Sequence, residues 1–518
     1  MKKNNIYRAV TACTFASAVL FSMPSCTDGF HEANRPGTGA SAEDLNRDNY
    51  MTSSFIVQME NEAFPEQENT YQMNQDLIGN YLSRYMTYAN NGFAEKNFAR
   101  LNAPNGWVRY PFKDSMPKTV SAFKEIARVT NGQGLNYAWA LILRAQSFMR
   151  LTDMYGPIPI GADPNDGNAY SSQEDVYKSL IADLNKATGI ISPLVAANPD
   201  LTVSAEHDKV YQGKFAKWLK YANSLKLRIA IRIRFVAPAL AKQLGEQAVQ
   251  DGVITSNEDN CTIAYTPNGQ YKTSVEWGDS RACADLECYL AGYNDPRLAK
   301  FFKPTEEAGP RAIIGCRAAA KIGNKTTADK AYSAANINQN SEGVWLTASE
   351  MAFCRAEGAL AGWSNMGGTA QSLYEEGVKL SFEQWGAGDA TSYLADNTST
   401  EADYVDPISE YGGNVSAVSN ITIKWDDATT DDQKLERLAT QKWIAMFPNG
   451  QEGWCEIRRT GYPKVFPLAQ PTDYSIQVAN RIPFDIDEAT NNKDNYLKAV
   501  QLLNGADDYA TKMWWQRR

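Results

Sequence analysis

The chain has 518 residues, 43% hydrophobic and 21% charged, ordinary globular proportions that exclude a disordered, collagenous or polytopic membrane protein. Fifty-one basic residues against 60 acidic ones give a net charge of −9 with no basic block, which leaves a nucleic-acid partner without an electrostatic footprint. Two histidines, His31 and His207, offer almost no imidazole for general-base or metal chemistry, whereas 12 Trp, 26 Tyr and 19 Phe offer ample surface for stacking.

Lys2, Lys3 and Arg8 precede an apolar run from Ala9 to Met23, the n-region and h-region of a secretory signal. The run is shorter than the roughly 20 residues a helix needs to cross the hydrocarbon core. It ends in Met23-Pro24-Ser25-Cys26, which resembles a bacterial lipobox. Residues 1–25 are therefore expected to be removed and Cys26 to be lipidated; the other reading is an ordinary signal peptide with Cys26 a bystander. Residues 26–49 are polar, with Gly and Pro, and suit a flexible tether. Cleavage before Cys26 would take three basic residues away and move the net charge from −9 to −12. The cysteines that follow, Cys261, Cys283, Cys288, Cys316, Cys354 and Cys455, are too dispersed for a disulfide scaffold, and no histidine pairs with Cys283 and Cys288, so no metal site is expected.

From residue 50 to 518 the spacing predicts one large, mostly α domain. Leu141, Ala145, Phe148, Leu151 and Tyr155 fall on one stripe of a helix over 135–155, which Gly156-Pro157 stops. Val176, Leu180, Leu184 and Ala187 mark a second over 173–191. Phe215, Trp218, Ala222, Leu225, Ile229 and Ile233 mark a third, backed by a polar face of Lys214, Lys217, Lys220, Arg228 and Arg232 and ended before Pro238. Thr347 and Glu350 form a capping-box signature opening a helix to Gly362; helices over 369–385 and, from Thr430-x-x-Gln433, to Pro448 follow. Neighbouring pairs suggest tetratricopeptide-like hairpins, but no 34-residue period repeats, so the scaffold is read as irregular. Two loop-rich insertions, about 250–344 and 386–429, interrupt it. The first carries short β-like pieces such as Cys261 to Tyr265.

The segment from Arg144 through Tyr155-Gly156-Pro157-Ile158-Pro159 resembles the signature helix and Gly-x-x-Pro turn of the SusD/RagB family of outer-membrane nutrient-uptake lipoproteins. Three later blocks agree in order. Leu346 to Leu360 resembles a family helix, with Ala356-Glu357-Gly358 where the family has Ala-Glu-Ala. Gln441 to Phe447 and Gly453 to Pro463 resemble its Trp and Arg-Arg-Thr-Gly block. Arg481 to Asn492 resembles an Arg-x-x-Tyr-Pro segment, with Phe484-Asp485 in place of Tyr-Pro. The resemblance implies tetratricopeptide-like helix pairs packed against a loop-rich ligand-binding region. It also implies a lipid-anchored place on the outer surface of the outer membrane beside a SusC-like TonB-dependent transporter, an oligosaccharide ligand, and no cofactor.

Sugar recognition pairs an aromatic face, on which the C–H groups of a pyranose stack, with planar amide and guanidinium groups that bridge hydroxyls. Two loop regions combine these: Tyr71 to Asp76 with Asn105 to Tyr110, and Asn268 to Tyr271 with Trp277 to Arg281. The candidate contacts are Asn74, Asp76, Trp107, Arg109, Tyr110, Tyr271, Trp277 and Arg281. The competing reading makes the loop tryptophans caps on the core. Tyr155, Trp218 and Trp443 sit on helix stripes and belong to the core. Glu350 and Glu357, two helical turns apart, admit a paired-carboxylate glycosidase; capping explains Glu350, and an ion pair with Arg458 or Arg459 explains Glu357. Asp485-Ile486-Asp487-Glu488 is only a fragment of a calcium loop. No nucleophile elbow, P-loop or dinucleotide fingerprint is present. The expected role is non-catalytic glycan capture; the alternatives are peptide capture, a secreted helical glycoside hydrolase and a structural scaffold.

Overall fold

The apolar stripes become helices that pack in pairs. The structure, a computed structural model, describes residues 50–161, 169–307 and 311–516; the signal segment, Cys26 and the tether to residue 49 lie outside the described residues. The chain divides between Met51 and Thr52, two residues into the first helix described, and the second unit holds the core. Its longer helices are α1 (Tyr50–Ala63), α2 (Met116–Val129), α3 (Gly134–Tyr155), α4 (Gln173–Ala197), α5 (Phe215–Ile233), α6 (Pro238–Asp251), α7 (Ala284–Gly292), α8 (Ala348–Leu360), α9 (Ala370–Trp385), α10 (Asp431–Ala445), α11 (Gly450–Thr460) and α12 (Lys493–Leu502). α3 packs on α4, α5 on α6, α8 on α9 and α10 on α11, while α4 and α8 each also pack on α5 and so join the pairs into one scaffold.

Local chemistry sets the ends. α3 stops at Gly156, whose φ of +85° an L side chain rarely adopts. Thr430 and Gln433 form both halves of the capping box that opens α10. At α8 only half of the expected box forms. The Thr347 hydroxyl accepts from the Glu350 amide at 3.1 Å, but the Glu350 carboxylate turns inward to Arg228. α4 continues past Ile191 through Pro193; its added turn is largely exposed and so has no apolar period to read. Pro238 does not merely end α5. It occupies the first turn of α6, where its missing N–H costs nothing. α7, inside the first insertion, is buried from Ala284 to Leu290 and therefore shows no amphipathic pattern.

The expected polar face of α5 also needs correction. Arg228 and Arg232 are 2% and 4% exposed, because the second half of α5 is enclosed by the surrounding helices. Each guanidinium meets a carboxylate. Arg228 grips Glu350 of α8 with two donors at 2.7 Å and lies 3.7 Å from Glu452 of α11. Arg232 bridges Asp153 of α3 at 2.5 Å and Glu452. Arg459 of α11 holds Glu357 of α8 at 2.5 and 2.7 Å, and Arg234 donates to the same carboxylate. Arg459 is thus the expected partner of Glu357, whereas Arg458 donates to the Asp153 and Asn480 carbonyls at 2.8 Å and lies 3.4 Å over the Trp454 ring. With both glutamates buried and locked by arginine, neither is placed to act as the acid or base of a glycosidase pair.

Strands are few and short among the described residues. β1 (Met86–Tyr88) pairs antiparallel with β3 (Ser280–Ala282), and β2 (Cys261–Ile263) with β4 (Gly343–Leu346). Tyr155, Trp218 and Trp443 lie fully in the core, and the six cysteines from Cys261 to Cys455 are buried free thiols.

Burial pushes the Glu357 carboxyl up, but Arg459 and then Arg234 outweigh it and hold the group below the usual glutamate range. Its ion pairing therefore contributes stability above the unfolded pKa, which is lost as the pH falls through the folded one. Glu357→Ala should lower the unfolding free energy at pH 7 by about 3–5 kcal/mol, since it breaks a buried ion pair and leaves the Arg459 guanidinium only Glu456, at 2.7 Å, as a carboxylate partner. Urea denaturation measures this, and a loss below about 1 kcal/mol, the scale of an exposed pair, would contradict the account.

Candidate functional site

The β1–β3 ladder decides which loops meet. Met86 lies opposite Ala282, Thr87 opposite Arg281 and Tyr88 opposite Ser280, and the Ala89 amide extends the pairing by donating to the Asp279 carbonyl at 2.9 Å. Asp279 is thereby set against the chain before and after β1. Its carboxylate accepts from Gln72 Nε2 at 3.1 Å and from Asn90 Nδ2 at 2.8 Å, with Lys325 Nζ at 3.3 Å. Lys325 also donates to the Trp277 carbonyl, which ties the tryptophan's backbone to the same cluster. Between them Gly278 has φ +67°, and a Cβ there would stand 2.9 Å from the Asp329 carboxylate, so the turn requires glycine. The Trp277 ring is partly buried, with Lys272 Nζ 5.3 Å from its centre.

A second part of the face follows Asn90. Its side chain accepts from the Gly92 amide and caps the turn Asn91–Phe93, leaving Asn91 and Gly92 exposed. Phe93 then packs edge-to-face on Trp107 at 5.1 Å, and Phe98 stacks against the same ring at 6.4 Å. Trp107 is thus partly buried on an aromatic bed. Arg109 is exposed and donates to Asp487 at 3.1 Å; Tyr110 is partly buried. Lys113 reaches Glu488 at 2.7 Å and Asp485 at 3.7 Å, so Arg109 and Lys113 between them offset two of the three negative charges of the acidic 485–488 segment.

Of the eight residues singled out by sequence, Trp107, Arg109, Tyr110, Tyr271 and Trp277 retain solvent access. Asn74, Asp76 and Arg281 do not. Asn74 and Asp76 lie within a buried π-helical segment, Gln72–Asn80, and Arg281 is central in β3. Asn74 donates to the Thr70 carbonyl at 2.9 Å; Asp76 accepts from Asn80 and Ser280 at 3.3 and 3.2 Å; Arg281 donates to the Ser274 carbonyl and pairs with Asp329, at 2.7 and 2.8 Å. Their role is to hold the loops from within. Sequence reasoning missed Asn90 and Lys325. Asn90 stands 189 positions from Asp279, and no local pattern links residues so far apart.

Burial raises the Asp76 carboxyl to about 7. The folded chain then keeps a proton that the unfolded chain releases above its ordinary value of 3.8, so this group's contribution to stability falls as the pH rises from about 4 to about 7. Asp76→Asn keeps an acceptor for Ser280 and removes the titration. Its unfolding free energy, followed in urea across that window, should decline less steeply than that of the unsubstituted protein; parallel slopes would refute the assignment.

A family model described as SusD-like, the SusD and RagB outer-membrane lipoproteins, matches residues 32–516. A SusD homologue from Bacteroides uniformis is 35% identical, with a TM-score of 0.85, covering 91% of this chain and all of its own. A SusD-like protein from Bacteroides thetaiotaomicron is also 35% identical, with a TM-score of 0.85 over 90% of this chain and 99% of that one. A chitin-binding SusD homologue from Flavobacterium johnsoniae is 36% identical, with a TM-score of 0.82 over 90% and 98%. No curated protein matches the chain.

Proposed function

Since this chain belongs to the SusD-like family of outer-membrane lipoproteins, we propose that it captures an oligosaccharide on the face built by β1, β3 and the loop after β1. In this reading Cys26 carries the lipid that holds the protein at the cell surface, and a SusC-like TonB-dependent transporter receives the ligand. The carrying observation is the convergence of the Asp279–Asn90–Gln72–Lys325 cluster with the partly buried Trp277 ring. A sugar presents an apolar C–H face and a rim of hydroxyls, and this surface offers a ring beside two amides and an ammonium, held in place by the buried Asp279 carboxylate. The chitin-binding relative at 36% identity supports a glycan over a peptide. Capture without turnover agrees with the locking of Glu350 and Glu357 in ion pairs.

Titration calorimetry with chito-oligosaccharides and a wider glycan panel tests this reading. Trp277→Ala and Trp107→Ala should each weaken binding by about 1–3 kcal/mol, as expected for loss of a stacked aromatic. Affinity for peptides with none for any glycan would overturn the ligand class, and unchanged glycan affinity in both variants would displace the site.

A further inference from the structure

A cleft of about 690 Å³ lies where the end of α3, the first turn of α4, the end of α12 and the segment from Thr511 to Trp514 come together. That volume is within the range of ligand pockets, which run from roughly 300 to 1,000 Å³. None of Trp107, Trp277, Asp279, Asn90 and Lys325 lines it, which separates it from the loop face. Its floor is closely fitted. The Ser171 amide donates to the Ile158 carbonyl at 3.0 Å, so the chain leaving α3 and the chain entering α4 run side by side. A Cβ at Gly156 would stand 3.3 Å from Leu503 Cδ2, and Leu503 and Met513 are both buried there.

The segment that carries Trp514 is pinned on both sides of it. Gln173, only 3% exposed, donates to the Thr152 carbonyl at 2.8 Å and accepts from the Trp514 backbone amide at 2.9 Å. The Met513 amide donates to Gln516 Oε1, and the Trp515 indole donates to Asp153 at 2.9 Å. Met513 and Trp515 are thereby turned into the core, while Trp514 between them keeps solvent access, its ring 6.1 Å from that of Tyr177. An aromatic ring held in place beforehand loses little freedom when a ligand stacks on it.

The rim around this ring is polar on one side and apolar on the other. Gln501, Asn504 and Lys512 are exposed, and their side chains make no hydrogen bond or ion pair with any described residue. The lining carboxylate, Glu174, is taken up by Lys178 at 2.8 Å. Leu502, 40% exposed, adds apolar surface beside the ring. We propose that this cleft is a second binding site, which takes one pyranose unit. The C–H face of the sugar stacks on Trp514, and the two amides and the ammonium bond its hydroxyls, which both donate and accept. The inference rests on these groups and stands whether or not the loop face binds glycan.

Saturation-transfer NMR on the whole protein tests it, with D-glucose, D-galactose and N-acetyl-D-glucosamine as probes and N-acetyl-L-phenylalaninamide as a non-sugar control. Ligand at about 10 mM suits the millimolar affinities of such small solutes. The expected result is transfer to a sugar that persists in a Trp107→Ala/Trp277→Ala double variant. In that background Trp514→Ala should weaken sugar affinity about tenfold, the scale of a lost stacking ring, and Gln501→Ala about threefold, the scale of one hydrogen bond. Gln501 is exposed and unbonded, so its variant serves even if Trp514→Ala fails to fold. Three results would overturn the proposal. The first is loss of all sugar transfer in the double loop variant, which would leave the loop face as the site. The second is full affinity in both cleft variants. The third is transfer to the phenylalaninamide as strong as to any sugar, which would assign the cleft to an apolar side chain of a protein partner.

Discussion

A charge can be buried in a helical core only when a counter-charge of matching geometry is buried with it, and in this protein that condition fixes how four helices meet. Arg228 and Arg232 lie one turn apart on α5 and reach three carboxylates on three other helices: Glu350 of α8, Glu452 of α11 and Asp153 of α3. Arg459 returns from α11 to Glu357 of α8. A slip of α5 by one turn, about 5.4 Å, would part Arg228 from Glu350 and Arg232 from Asp153 together. Apolar contacts alone tolerate sliding, because one methyl replaces another; paired guanidinium and carboxylate groups do not. The lattice thus supplies register to a scaffold whose stripes supply adhesion.

That rigidity matters for the loops. Asp279 gathers Gln72, Asn90 and Lys325 only because β1 and β3 are anchored at their bases, and the chain leading into β1 is itself packed on α11. Gly79 shows how close that packing is: a Cβ there would lie 2.7 Å from the Gln451 amide nitrogen of α11. On a surface built this way, exposed residues such as Asn91 and Gly92 can change while the foundations beneath them stay fixed.

Helices with one apolar face were legible in the sequence, and α3, α5, α8, α9 and α10 lie within a residue or two of where spacing puts them. α7 was not, since a helix buried on all sides has no polar face to set the period, and α6 was hidden by reading Pro238 as a stop when it is a start. Arg228 and Arg232 read as a solvent face because periodicity reports that a residue is charged, not that a carboxylate from a distant helix waits for it. The site divides in the same way. Loop composition singled out Trp107 and Trp277, which keep solvent access, but gave no sign of Asn90 or Lys325, while Asn74, Asp76 and Arg281 have binding chemistry but buried, supporting positions. Contacts across hundreds of residues depend on the fold, and local spacing carries no trace of them.

The indole of Trp515 donates to Asp153 at 2.9 Å, across 362 positions, on the same carboxylate that Arg232 and Tyr177 approach. Such a contact has a consequence in time. While the chain is being made, α3 and α5 can form, but the carboxylate between them lacks one of its donors until almost the whole sequence has emerged. The contact therefore cannot be completed from any early fragment of the chain, and it belongs to the distant pairings whose loop-closure cost slows folding.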